Sequence, residues 1–225
     1  MILAVRLGLP FALALLALGG ADAPRPPAEP GNTAPVPVPP PPRPTAASGE
    51  VLFADDFRTL DAWQADRAGV WSVGDGVLSG RPPDGRQEHS FLATGDESWQ
   101  DYAVDVDVCQ LRGVDKGVIV CVRGRRGVGV DLRGGTYQDV LLYRQEVPLG
   151  SARVANADST WHHLRVETRG SRYTVLVNGA RVLERRDPLR AMKRGRIALA
   201  AYTGGRGECA VSYANLVVTK LPPDR

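Results

Sequence analysis

The sequence predicts an all-β protein, an antiparallel jelly-roll β-sandwich over residues 50–221, preceded by a signal peptide over 1–23 and a disordered Pro-rich linker over 24–49. Three observations predict it. Short runs rich in Val, Tyr and Trp alternate with polar residues, turn signals return about every eight to twelve residues, and no segment sustains the apolar period of 3.6 that an amphipathic helix needs. The clearest stretch is Trp161–Glu184, where two alternating strands meet at Gly170-Ser171 and a third is entered through Asn178-Gly179. Asn-Gly supplies the positive φ angles of a tight hairpin, so this stretch reads as a β-meander.

The amino terminus has the order of an export signal: Arg6, an apolar run from Leu7 to Leu18, then small residues through Ala23. That run is shorter than the roughly 20 residues a membrane-spanning helix requires, and Pro10 interrupts it. From Pro24 to Pro44, eleven residues are proline, which removes backbone donors and fixes φ. Such a segment forms neither helix nor sheet; in polyproline II geometry it extends roughly 65 Å at about 3.1 Å per residue and reads as a stalk. A secreted or periplasmic, cell-envelope location follows as an expectation.

Strands are expected at 51–57, 70–73, 77–79, 90–94, 102–111, 117–123, 127–132, 138–146, 161–169, 172–177, 180–187, 195–201 and 208–220. Gly74-Asp75-Gly76 is a second hairpin signature. In 102–111, Val104, Val106 and Val108 point one way and Asp105, Asp107 and Cys109 the other, so one face is core. A turn centred on Asp115 would set Cys109 opposite Cys121, close enough for a disulfide in an oxidising compartment; two unpaired thiols are the alternative, and Cys209 is left as a small core residue. Three cysteines without paired histidines do not make a zinc site. The 28 basic and 25 acidic side chains are spread along the chain, and a net charge of +3 does not imply a nucleic-acid partner.

The ordered motifs LFADDF, LDAW, GVWSVGDGVL, WHHLRV, VNGARV, GRIAL and VSYANLVV resemble the concanavalin A-like lectin/glucanase superfamily, in particular its laminin G-like and bacterial 3-keto-disaccharide hydrolase domains. The resemblance implies two curved antiparallel sheets with a concave face turned to a glycan. On these strand assignments that face would carry Arg123, Asp131, Arg133 and either Tyr143 or Arg144; solvated charges on a wet sheet are the competing reading. Trp63, Trp71, Trp99 and Trp161 read as core anchors rather than sugar platforms. The resemblance further implies a structural calcium, with Asp56 of the Asp55-Asp56 pair as a contributor, although calcium wants six to eight oxygens. No other cofactor is expected.

Catalytic signals are thin. Glycoside hydrolysis needs two carboxylates about 5 to 10 Å apart, and the alternating acidic run of the superfamily's glucanases is missing. Asp105 and Asp107 share a face but read as solvating, and His162 and His163 are neighbours on a strand that must face opposite ways. Where the hydrolase domains carry Glu, Gln and His, this sequence has Gly129, Ala200 and Tyr202. The reading is therefore an exported non-catalytic module that binds carbohydrate or envelope glycan, with an atypical glycan or 3-keto-disaccharide hydrolase and a cell-envelope adhesion protein as rivals.

Overall fold

The computed structural model describes residues 39–42, 49–145, 147–187 and 192–223. The expected signal peptide and most of the linker lie outside them. The strands are β1 (Val51–Asp55), β2 (Gln64–Ala65), β3 (Trp71–Gly74), β4 (Val77–Gly80), β5 (His89–Thr94), β6 (Tyr102–Arg112), β7 (Asp115–Arg123), β8 (Arg126–Arg133), β9 (Asp139–Arg144), β10 (Val147–Arg153), β11 (Trp161–Arg169), β12 (Arg172–Val177), β13 (Ala180–Arg186), β14 (Arg196–Tyr202) and β15 (Ala210–Lys220). The described residues contain no α-helix, and a single 3₁₀ turn spans Gly204–Arg206.

The strands form two antiparallel sheets. The eight-stranded sheet runs β13-β12-β11-β6-β15-β4-β3, with β1 added alongside β15; the seven-stranded sheet runs β10-β9-β8-β7-β14-β5-β2. Their inner faces meet in one core. Across the first sheet Val166, Val104 and Val218 lie in register and are fully buried; across the second, Leu142, Val130, Val118, Leu199 and Leu92 do the same. The β-branched side chains that stiffen an extended backbone thus also fill the interior. Tyr213 spans the gap from β15, where its hydroxyl bonds the Gly117 backbone of β7 and donates to the Ala200 carbonyl of β14 at 2.5 Å.

The meander β11-β12-β13 forms as the sequence predicts, with Gly170, Asn178 and Gly179 at positive φ. The β3-β4 hairpin turns through Asp75 and Gly76, both left-handed. Two strands are additional. β2 is two residues long, and β10, which carries Pro148 and Gly150, pairs with β9 at the sheet's edge, where a missing donor is tolerated.

The expected disulfide does not form. Gly113, at φ 97, sends the chain across the sandwich instead of back beside itself, so β6 lies in one sheet and β7 in the other. Cys109 sits in register with Trp161 and Ser212, while Cys121 approaches the Thr168 hydroxyl at 3.6 Å. Cys109, Cys121 and Cys209 are all buried free thiols. Burial pushes the first two up to about 11 and Cys209 up to about 12, which leaves them protonated and inert as nucleophiles.

Candidate functional site

The outer face of the seven-stranded sheet carries a floor of small residues. One row runs Leu141, Asp131, Gly117, Ala200, Phe91 across β9, β8, β7, β14 and β5; the next runs Tyr143, Gly129, Ile119, Ala198, Ala93. A side chain at Gly129 would strike the Tyr143 ring, which lies over that glycine. From there the Tyr143 hydroxyl donates to Asp131 Oδ1 at 3.3 Å. Below this, Arg133 and Asp139 face each other in a bidentate pair at 2.8 and 2.6 Å, and the Arg133 guanidinium stacks 4.3 Å from the Tyr137 ring centroid.

Asp131 is the electrostatic centre. Burial, followed by the nearby negative charge of Asp115, pushes its carboxyl up to about 8, while the Tyr143 hydrogen bond and Arg133 pull the other way. Asp115, buried at the Tyr202 register position, is also raised by burial. A carboxyl that holds its proton near neutral pH beside a phenol can both donate and accept hydrogen bonds, and such shifted groups concentrate at functional sites.

Of the five candidate ligand residues, the structure brings three together: Asp131, Arg133 and Tyr143. Arg144 follows Tyr143 and therefore faces inward, where its Nε donates to the buried Asp187 at 2.5 Å. Arg123 ends β7 where the β7–β8 turn begins, half exposed and 3.7 Å from Glu97. Gly117, the partner of Asp131, is six residues back along the strand, so about 20 Å separates the two. The aromatic edge of the face was not foreseen. His89, Phe91 and Tyr202 cluster there, with ring centroids 5.2 Å (His89–Phe91) and 6.5 Å (His89–Tyr202) apart. Only the β5-β14 pairing reveals it.

Two further polar groups lie elsewhere. On the outer face of the eight-stranded sheet, His163 Nδ1 bonds Asp107 at 2.8 Å and Nε2 bonds Asp105 at 3.2 Å, which raises the imidazole to about 9. Arg165 bridges Asp105 and Glu167, and Asn215 Nδ2 donates both to Asp107 at 2.7 Å and to the Pro41 carbonyl at 2.8 Å. Inside the sandwich, Lys116 is fully buried and bonds Asn156 at 3.0 Å; burial lowers it to about 7. Trp63 and Trp71 are buried, and Trp99 packs against Tyr102 and the core.

Asp56 lines an open cleft of about 550 Å³ with Pro40, Phe57, Arg58, Gly74, Asp75, Gly76 and Asn215, and pairs with Arg58 at 3.0 Å. Asp55 instead accepts from the Phe57 amide and the Trp63 indole. Among the described residues no three acidic, His or Cys side chains converge there.

A family model described as the 3-keto-alpha-glucoside-1,2-lyase-like domain matches residues 49–219. The chain belongs to this family. Within the lyase-like domain, Gly129, Ala200 and Tyr202 all fall on the outer face just described. A curated relative, the extracellular exo-alpha-L-arabinofuranosidase of Streptomyces chartreusis, is 37% identical over 70 residues, which is 31% of this chain; the chain spans 8% of that protein. Among solved structures, the carbohydrate-binding module CBM66 from Bacillus subtilis superposes with a TM-score of 0.60 at 15% identity, over 71% of this chain and 96% of that one. A β-1,3-1,4-glucanase (lichenase) derived from a mouse hindgut metagenome gives 0.59 at 14% identity, over 75% and 98%. These likenesses show the antiparallel jelly-roll sandwich fold of the lyase-like domain.

Proposed function

We propose that this domain is a carbohydrate-recognition module whose ligand lies on the outer face of the seven-stranded sheet. The observation that carries the reading is the pairing of a floor of Gly117, Gly129, Ala198 and Ala200 with Asp131, Tyr143 and an aromatic edge at Phe91 and Tyr202. A sugar ring presents an apolar face and a hydroxyl rim. Small floor residues let the ring approach, aromatic faces pack on its C–H surface, and groups that donate and accept satisfy its hydroxyls. Family membership, together with the likeness to a carbohydrate-binding module and a glucanase, supports the same ligand class. Export, which the amino-terminal pattern suggests, would put the domain where glycans occur. A glycan microarray with the wild-type chain and Tyr143→Ala tests it: binding to a defined sugar class, lowered at least tenfold in the variant, is expected. Equal binding by the two proteins overturns the location, and binding to no sugar overturns the function.

A second reading follows from Asp131. A 3-keto glucoside has an acidified hydrogen at C2; a base that removes it allows the C1–O bond to break, with the proton ending on the departing oxygen. The carboxylate of Asp131, present above about pH 8, has the basicity for that step. Release of the leaving group from a 3-keto glucoside, rising with pH and lost in Asp131→Asn, would favour the enzyme over the module.

A further inference from the structure

We infer that the glycan bound by this domain is anionic, a carboxylated or sulfated polysaccharide, and that it is gripped by a cationic rim where the β7–β8 turn meets the approach to β14. The inference rests on the carbohydrate reading and narrows it to a ligand class. In sequence the rim's basic residues form two short runs, Arg123-Gly124-Arg125-Arg126 and Lys193-Arg194, which folding brings side by side. Arg123 and Arg126 are register partners closing the turn, with Arg125 between them at its tip. The backbone of Gly195 packs directly on Cys121 and Val122, so Lys193 and Arg194 enter β14 beside that turn. All five side chains are exposed.

Adjacent strands lie about 4.8 Å apart, so neighbouring charges of the rim fall within one Debye length, about 8 Å at physiological salt. Their fields add instead of being screened from one another. Compensation is small: among the described residues Glu97 is the carboxylate in salt-bridge range, 3.7 Å from Arg123. Three arginines elsewhere are by contrast consumed by acids: Arg133 by Asp139, Arg144 by Asp187 and Arg165 by Asp105 and Glu167. The rim thus keeps its charge for something outside the chain. Guanidinium forks suit carboxylate and sulfate oxygens.

A polysaccharide is favoured over other polyanions by continuity. Along β8 the residues facing outward run Asp131, Gly129 and Gly127, and the strand begins at the turn that carries Arg125; Arg126 and its register partner Arg123 take the opposite facing, so the rim caps the end of the sheet where the sugar floor stops. The floor would hold a ring while the rim holds the charges of the sugars that follow.

The test is binding of the full chain to polygalacturonate and dextran sulfate, with neutral dextran and single-stranded DNA as comparators, across a series of NaCl concentrations. Acidic glycans are expected to bind more tightly than neutral dextran, with log K falling linearly in log salt. Arg125→Glu/Arg126→Glu/Arg194→Glu should weaken them at least tenfold and flatten the slope by about one for each arginine removed from the rim. The gentler Arg→Gln triple variant should fall between, which separates charge from misfolding. Unchanged binding by both variants, or a salt-independent affinity, overturns the rim. DNA binding as tight as that of the acidic glycans overturns the assignment to polysaccharide. Neutral glycans bound on the microarray while acidic ones are ignored sink this inference alone; binding to neither class sinks the carbohydrate reading with it.

Discussion

On the outer face of the eight-stranded sheet, the ionisable groups near the centre complete one another: His163 is clasped by Asp105 and Asp107, Arg165 by Asp105 and Glu167, and Asn215 closes the ring onto Asp107. On the outer face of the seven-stranded sheet, Asp131 has a phenol at 3.3 Å and a second raised carboxyl, Asp115, nearby. Both faces grow from the same alternation of valine and polar residues and cover the same core. The difference lies in whether charge is neutralised within the protein or held in an unfavourable state. A closed network contributes to stability and offers a ligand few free groups. A carboxyl kept protonated by its surroundings is a standing cost that a ligand can relieve.

The largest expected effect comes from opening the closed network. Asp107 is buried and bonded to both His163 and Asn215, so Asp107→Ala would leave an imidazolium and an amide without their shared acceptor. Removing one partner of such a pair should cost about 3 kcal/mol, read as a lower urea midpoint at unchanged slope. Glycan binding by the folded fraction should be unaffected. A loss below about 1 kcal/mol would show that the network is surface decoration and that the two faces do not differ as argued.

That contrast was only half legible in the sequence. Alternation and turn chemistry are local, so β11, β12 and the Gly170 and Asn178-Gly179 turns follow directly from residue order. Strand order is not local. Cys109 and Cys121 look like cross-strand neighbours because a hairpin is the default path, and only the crossing at Gly113 separates them. The same limit hid His163, which follows a histidine of opposite facing and meets Asp105 and Asp107 only through the β11-β6 register. It also hid the small floor, since Gly117, Gly129 and Ala200 come from three strands. Asp131, Arg133 and Tyr143 were recoverable because β8 and β9 are consecutive and paired. The period of two that places Tyr143 outward turns Arg144 inward, and Arg123 lies beyond the bulge at Cys121, where the alternation is reset.

An effect of opposite sign is expected at the open face. Asp131 has a folded pKa of about 8 against about 3.9 unfolded. Below about pH 4 both states are protonated and nothing is lost; as pH rises toward 8 the unfolded chain releases its proton first and is favoured. Asp131→Asn removes that penalty. The variant should melt higher than wild type at pH 8, with the gap closing by pH 4, while its glycan affinity drops. A variant that is less stable at both pH values would mean that Asp131 belongs to a satisfied structural network, and the contrast between the faces would vanish.

The smallest effect tests the closed face by titration. His163 has a folded pKa of about 9 against about 6.5 unfolded, because both ring nitrogens donate to carboxylates. Its contribution is complete below about pH 6.5, where both states are protonated, and is lost as pH rises through 9. Lys116, lowered to about 7 by burial, acts in the opposite direction: stability rises from about pH 7 to 10.4 as the unfolded chain alone keeps the proton. The raw pH profile of the wild type therefore mixes both groups. His163→Gln isolates one of them, because Lys116 and Asp131 cancel in the difference between the two proteins. The melting-temperature gap should be about 2–4 °C near pH 6, corresponding to roughly 1 kcal/mol for a chain of this size, and should shrink to nothing by pH 10. A gap that stays constant across that range would mean that His163 packs without carrying charge, and that Asp105 and Asp107 are held by Arg165 and Asn215 alone.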